Sequence, residues 1–277
     1  MTAQAALRDA IPRLRASGVE DAARDARLLL AHAMGVAADR LTLHLSDPLD
    51  AAANTRFQSA VAARMARQPV SQITGQRLFW GRSFLVTPDV LDPRPETEVL
   101  VAVALGQPFH HMLDLGTGSG CILLSCLADM PAAQGTGVDL SKAALSVARR
   151  NAARLDLGHR SRFQLSDWCE TVQGRFDLIL SNPPYIAAAE MAALSPEVRL
   201  WEPHLALTPG GDGLAAYRAI AVQCPERLLP GGRLLVEIGP TQGAAVSQLF
   251  ADQGLVDLAV LPDMDGRDRV VMARKPV

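Results

Sequence analysis

HMLDLGTGSG, residues 111–120, decides how the rest of this chain is read. Met112, Leu113 and Leu115 behave as a buried strand, which Asp114 helps to end. Gly116, Gly118 and Gly120 then turn the chain toward a helix over Ser119–Ala128. Glycines so placed let a backbone turn sharply and come close to a ligand. The helix behind them offers free N–H groups to a polar or anionic group. The dinucleotide pattern would need glycine where Cys121 stands, and a P-loop would need a lysine that is not there. That counts against NAD and ATP. A ligand with a ribose and no pyrophosphate fits better.

Outward from this loop, strands and helices alternate. GTGVDL ends at Leu140 and precedes a helix over Ser141–Leu155; a strand near RFQLS follows, and the next ends at Asn182. A helix around Leu214–Val222, the strand GRLLVEIG, a helix near Ala244–Asp252, and apolar runs at Leu255–Leu261 and DRVVMAR complete the pattern. Such alternation predicts an α/β fold with a mainly parallel sheet and helices on both faces. Ligands in these sheets bind outside the carboxyl ends of the strands.

The first 72 residues read differently. Ala, Leu and Arg dominate, Glu20 and Asp21 suit a helix start with Gly35 as its stop, and a second helix runs from Asp50 to Arg67. Pro12 marks a start or a kink in the first helical segment. This part is either a helical domain that docks a partner or a structural cap. Residues 73–92 carry two short β-prone runs around Gly81, a hairpin pattern. PRPETE, residues 93–98, reads as a helix start with Pro95 at its first position and Glu96 and Glu98 complementing the dipole.

The chain has 277 residues, is 49% hydrophobic and 20% charged, and carries a formal net charge of −2. No dense basic run is present, which argues against a protein that grips nucleic acid mainly through phosphates. Cys121, Cys126, Cys169 and Cys224 lack metal-ligand spacing and read as reduced and structural. His110 and His111 are neighbours on a strand, point to opposite faces, and hold no metal. Arg8 and Asp9 interrupt any apolar leader, no later run spans a bilayer, and a cytoplasmic enzyme is expected.

Asp139 ends the second strand, where a carboxylate accepts bonds from both ribose hydroxyls; its competing reading is a helix cap. Asp167 and Trp168 follow the third strand, the indole placed to stack on a purine and the acid to bond its amine. At the fourth strand the run Leu178–Leu180 gives way to Ser181-Asn182-Pro183-Pro184-Tyr185. A Pro pair ends strand pairing. An amide or exocyclic amine is a poor nucleophile because its lone pair is delocalised. The Asn182 oxygen and the Pro183 carbonyl can accept its two N–H groups, more strongly as the nitrogen becomes tetrahedral. Tyr185 can lie against the planar group. Neither metal nor strong base is needed.

The glycine loop, the acid ending the second strand and Asn-Pro-Pro-Tyr together resemble a class I S-adenosylmethionine-dependent methyltransferase acting on planar nitrogens. ITGQRLFWG, VTPDVLDPRPETE, DLGTGSG, SDW, SNPPYI, WEPHLAL, GGDGL, PGGRLLVEIG and GRDRVV occur in that order. The whole chain resembles the bacterial release-factor glutamine methyltransferases. The resemblance implies a Rossmann-like sheet with its last strand antiparallel, spanning 93–277, after a helical substrate-docking domain at 1–72 and a hairpin linker at 73–92. It implies S-adenosylmethionine held by Gly116, Thr117, Gly118, Ser119, Gly120, Asp139, Trp168 and Asn182. The substrate glutamine of a Gly-Gly-Gln motif in class I peptide chain release factors would meet Asn182, Pro183, Pro184 and Tyr185. The resemblance also places Arg94 and Glu98 at the pocket rim. A monomer with no membrane or direct nucleic-acid partner is expected. The alternative is a DNA or RNA amino-methyltransferase, which shares Asn-Pro-Pro-Tyr but needs a basic groove for an extruded base. Gln72 stands where the family often has Tyr, and Asp92 where an aliphatic is usual.

Overall fold

The computed structural model describes residues 1–277, and the chain forms two compact units, 1–76 with 195–201, and 77–194 with 202–277. The first unit holds α1 (Ala3–Ala16), α2 (Ala22–Met34), α3 (Ala51–Met65) and α4 (Val70–Thr74). Thr2 caps α1 and Asp50 caps α3, each side chain accepting an N–H three residues on. Gly35 closes α2 in the left-handed region at φ 69°. Pro12 lies well inside α1, not at its start. Leu14, Leu29, Leu30, Leu41 and Phe57 are fully buried between these helices. Arg64 is buried too, paired with Asp25 at 2.7 Å and with Glu197, from the 195–201 segment, at 3.0 Å.

The chain continues through β1 (Gln76–Phe79), β2 (Arg82–Leu85), α5 (Glu98–Leu105), β3 (His111–Leu115), α6 (Cys121–Asp129), β4 (Gln134–Asp139), α7 (Lys142–Arg154), β5 (Ser161–Leu165) and β6 (Phe176–Ser181). It ends with α8 (Pro196–Trp201, in the first unit), α9 (Ala215–Gln223), β7 (Leu228–Glu237), α10 (Gly243–Ala251), β8 (Val256–Pro262) and β9 (Asp268–Arg274). β1 and β2 form the expected hairpin. Its two-residue turn puts Trp80 and Gly81 at φ 48° and 70°, the left-handed pair that matches strand twist.

The main sheet has seven strands in the order β5-β4-β3-β6-β7-β9-β8. β5, β4, β3, β6 and β7 pair in parallel, and β9 runs antiparallel to both β7 and β8. The parallel sheet and antiparallel last strand are as expected. Side-chain alternation divides two cores. Leu178, Leu180 and Leu235 pack on one face with α5 and α6, while Leu113, Ile179 and Leu234 pack on the other with α9 and α10. Strand order reverses at β3, flanked by β4 and β6, which opens a crevice at the carboxyl ends of these strands.

α6 starts at Cys121, two residues later than the sequence pattern predicts. Gly118 and Gly120 hold φ of 54° and 79°, so Ser119 stays in the loop between them. α4, α8 and the 3-10 turn at Ala188–Ala193 carry no clear sequence periodicity and went unread.

Candidate active site

A cavity of about 570 Å³ lies at that crevice, walled entirely by residues of the second unit. Its walls take Gly116, Thr117, Gly118 and Ser119 from the loop after β3, Asp139 from the end of β4, Asp167 and Trp168 after β5, and Asn182 and Pro184 after β6. Nothing lies within 4 Å of a β-carbon built on Gly116, so its conformation at φ 68°, not crowding, demands glycine there.

Asp114 anchors the loop from beneath. It is fully buried, one oxygen accepts the Thr117 hydroxyl at 2.6 Å, and the other has no partner. Burial pushes its carboxyl up to about 7. Asp139 accepts the Gly118 N–H at 2.9 Å on one oxygen and the Ser141 N–H at 2.8 Å on the other. Burial raises its carboxyl also, against the pull of these backbone donors. Ser141 caps α7, accepting the Ala144 N–H at 3.1 Å. The two readings of Asp139 are therefore separable: Ser141 does the capping, and Asp139 holds the loop at the cavity wall.

Trp168, on the cavity wall, is a non-glycine residue at φ 47°, a conformation that costs energy. Asn182 donates through Nδ2 to the Thr97 hydroxyl at 3.1 Å. Some expected residues stand back from the cavity. Gly120 is not on its wall; a β-carbon there would lie 3.1 Å from Leu124 and 3.3 Å from Ala148, so it lets α6 and α7 approach. Pro183 is buried. Tyr185 packs on the α9–α10 face of the sheet, with burial pushing its phenol up to about 12. Gly213, at φ 79°, lies directly against the Tyr185 carbonyl, which also accepts the Gln242 amide at 3.0 Å.

Arg94 lines the cavity and pairs with buried Glu202 at 2.5 Å. Glu98 does not line it; it accepts the Trp80 N–H at 2.7 Å and ties the hairpin turn to α5. Asp92 is buried 3.8 Å from Arg77, with one oxygen unpartnered. Gln72 donates to the Trp201 carbonyl at 2.8 Å within the first unit. The cysteines are all free and buried.

Sequence reasoning passed over Thr97, the Pro203–Ala206 wall and Glu237. Glu237 ends β7 at the same sheet edge, is fully buried, and has Oε2 unpartnered. An acid ending a parallel strand was the signal that singled out Asp139, and it stood in VEIG too.

Residues 5–75 match the family described as PrmC N-terminal domain, and residues 91–215 match the Methyltransferase small domain. Over 276 residues the chain is 64% identical to the release factor glutamine methyltransferase of Cereibacter sphaeroides, covering 100% of this chain and 99% of that protein. The chain belongs to the release factor glutamine methyltransferase family. This methyltransferase is also 44% identical over 269 residues to the Rhodospirillum rubrum release factor glutamine methyltransferase, covering 95% of this chain and 82% of the relative. Among solved structures, the hMettl16 catalytic domain in complex with the MAT2A 3'UTR hairpin 6 matches with TM-score 0.58 at 16% identity, over 76% of this chain and 81% of that one. A methyltransferase from Pyrococcus furiosus matches with TM-score 0.54 at 16% identity, over 70% and 89%. At that identity these two neighbours show a shared fold.

Proposed function

We propose that this enzyme moves a methyl group from S-adenosylmethionine to the side-chain N5 of the Gly-Gly-Gln glutamine in class I release factors. The observation that carries the reading is that the glycine loop and Asn182 wall a single cavity. The kinship of the whole chain with release factor glutamine methyltransferases supports the substrate. An enzyme acting on that substrate would work in the cytoplasm, where translation runs.

The residues present fit the cofactor. A cavity of about 570 Å³ lies within the range of small-molecule sites. Gly116–Ser119 would carry its amino-acid end, Asp139 its ribose hydroxyls, and Asp167 and Trp168 its adenine. When bound it supplies an electrophilic methyl on a cationic sulfur, so the chain need provide no metal or strong base.

The chain's own task is to hold the acceptor. The Asn182 oxygen, on the cavity wall, accepts one amide N–H; the carbonyl of Pro183, which stands back from that wall, would take the second once the acceptor amide is seated, and the Pro183–Pro184 pair keeps these acceptors rigid. As the amide nitrogen leaves conjugation its hydrogens grow more acidic, so both bonds strengthen at the transition state. A glutamate in place of the glutamine would offer nothing to either oxygen. Residues 1–72, none of which lies on the cavity wall, would dock the substrate protein.

Mass spectrometry of a release factor incubated with enzyme and S-adenosylmethionine tests the reading, the expected product being one methyl on the Gly-Gly-Gln glutamine. Methylation of polynucleotide and not of the release factor would overturn it. Asn182→Ala should lower turnover by about 10²–10³ with cofactor affinity largely kept.

A further inference from the structure

Asn182 and Pro183 bear the proposed acceptors on a turn that has few donors of its own. Neither Pro183 nor Pro184 carries an N–H with which to tie the turn to neighbouring backbone. What the prolines supply is stiffness. Each ring fixes its own φ and narrows the backbone of the residue before it, here Asn182 and Pro183. A stiff turn is placed by its ends. At the first end Asn182 Nδ2 donates to the Thr97 hydroxyl at 3.1 Å. At the other end the Tyr185 carbonyl accepts Nε2 of Gln242 at 3.0 Å. Ile186 continues the attachment, its N–H donating to the Leu207 carbonyl at 3.0 Å and its carbonyl accepting the Thr208 hydroxyl at 2.5 Å.

Gln242 sits immediately before α10, on the turn that leaves β7, and does not line the cavity. Its Oε1 accepts the Gly239 N–H at 3.0 Å. The Tyr217 hydroxyl, on a fully buried side chain, lies 3.3 Å from the same oxygen and 2.9 Å from the Glu237 carbonyl. A backbone N–H only donates and a backbone carbonyl only accepts. Gly239 and Tyr185 together therefore admit a single orientation of the Gln242 carboxamide. Two glycines leave room for it. A β-carbon on Gly239 would stand 3.0 Å from Gln242 Oε1 and 3.4 Å from the Tyr185 ring, and one on Gly213 would stand 3.1 Å from Gln242 Nε2.

We infer that Gln242 is a positioning residue. By holding the Tyr185 carbonyl it sets where the Asn182 oxygen and the Pro183 carbonyl meet the acceptor amine. This rests on the reading of the Asn-Pro-Pro-Tyr turn proposed above. Because the two prolines make the turn stiff, a shift at Tyr185 is passed to Pro183 and Asn182 and is not absorbed between them.

The test uses the full-length enzyme with a full-length release factor and S-adenosylmethionine. Gln242→Glu keeps the length and the acceptor toward Gly239 but sets an oxygen against the Tyr185 carbonyl in place of the N–H. Gln242→Met deletes the same donor without adding charge, so each variant covers for a folding defect in the other. In both, kcat should fall by about ten- to a hundredfold, the range that displacements of about 1 Å at a reacting group produce. Cofactor Kd by calorimetry should hold, and the binding stoichiometry counts the folded sites to which kcat is referred. KM for the release factor should move far less than kcat, because the displaced acceptors matter most at the transition state. Tyr217→Phe is the control. It deletes a buried hydroxyl from the same cluster and leaves the bond to Tyr185, so it should lower melting temperature and spare kcat. Full turnover per folded site in either Gln242 variant overturns the inference. A kcat loss in Tyr217→Phe as large as theirs also overturns it, since the loss would then follow stability. If Asn182→Ala is itself fully active, the reading of the turn falls and this inference with it. If Asn182→Ala is impaired while the Gln242 variants are not, the inference alone is lost.

Discussion

Asp139 grips the Gly118 N–H at 2.9 Å, joining the end of β4 to the middle of the glycine loop that leaves β3. The same carboxylate takes the Ser141 N–H on its other oxygen, so both oxygens are engaged at the cavity wall. Asp139→Ala therefore removes a loop anchor together with the proposed ribose acceptor. Affinity for S-adenosylmethionine should drop by about tenfold or more, since bonds to a charged group contribute about 1.5–3 kcal/mol. Calorimetry decides the matter: an unaltered Kd would confine Asp139 to shaping the loop.

Asp114 predicts how stability depends on pH. Its carboxyl ordinarily titrates near 3.8, and burial pushes it up to about 7. Between those values the folded chain keeps a proton that the unfolded chain has released. The contribution of this group is therefore full at acid pH and fades as pH rises through that window. Asn at this position can still accept the Thr117 hydroxyl but cannot ionise. Relative to the parent, Asp114→Asn should gain melting temperature between about pH 5 and pH 8. A constant difference across that range, by scanning calorimetry, would contradict the assignment.

Gly213 faces the carbonyl of Tyr185 so closely that a β-carbon has no room, and its φ of 79° is itself costly for any other residue. Gly213→Ala should push the Asn-Pro-Pro-Tyr turn off its position. Displacements of about 1 Å at a reacting group cost up to about a hundredfold in rate. Turnover should thus fall by at least about tenfold, with a smaller effect on cofactor affinity. Steady-state kinetics beside a binding isotherm separates the two, and wild-type turnover would show that the turn tolerates the shift.

Arg64 holds two carboxylates in the interior of the helical unit, Asp25 and Glu197. Arg67 reaches the second oxygen of Glu197 at 2.7 Å. Arg64→Ala strands buried Asp25 and leaves half-buried Glu197 to Arg67 alone, and a loss of about 3–5 kcal/mol follows from breaking such a buried pair. Denaturant unfolding should show the unfolding free energy lower by that amount. A loss below about 1 kcal/mol would mean that water reaches the pair and it behaves as a surface bridge.

The proposed docking by residues 1–72 is tested by surface substitutions and not by truncation. Ser195–Trp201 belong to that unit, and removing the N-terminus would leave Glu197 and the Trp201 carbonyl without Arg64, Arg67 and Gln72. Reversing exposed charges such as Arg24, Asp39 and Arg40 should slow methylation of a whole release factor and spare a short Gly-Gly-Gln peptide. Equal rates on both substrates for every such variant would make the unit a stability element.

The sequence alone determined what depends on neighbours along the chain. Short continuous apolar runs set β3, β6 and β7, while glycines and prolines set the turns that end them. Strand-helix alternation then required a parallel sheet and put 116–120, Asp139 and 182–185 at one edge. Local chemistry suffices for this because each signal lies within a few residues of the structure it specifies. Tertiary structure alone decided which polar groups meet. Asn182 and Thr97 are 85 residues apart, and Glu237 comes to the same sheet edge only because β7 pairs with β6. It also withdrew Gly120 and Glu98 from the cavity wall and gave them packing and hairpin duties. No spacing rule records such meetings, since they depend on strand order and on burial that leaves an acid few donors to choose from.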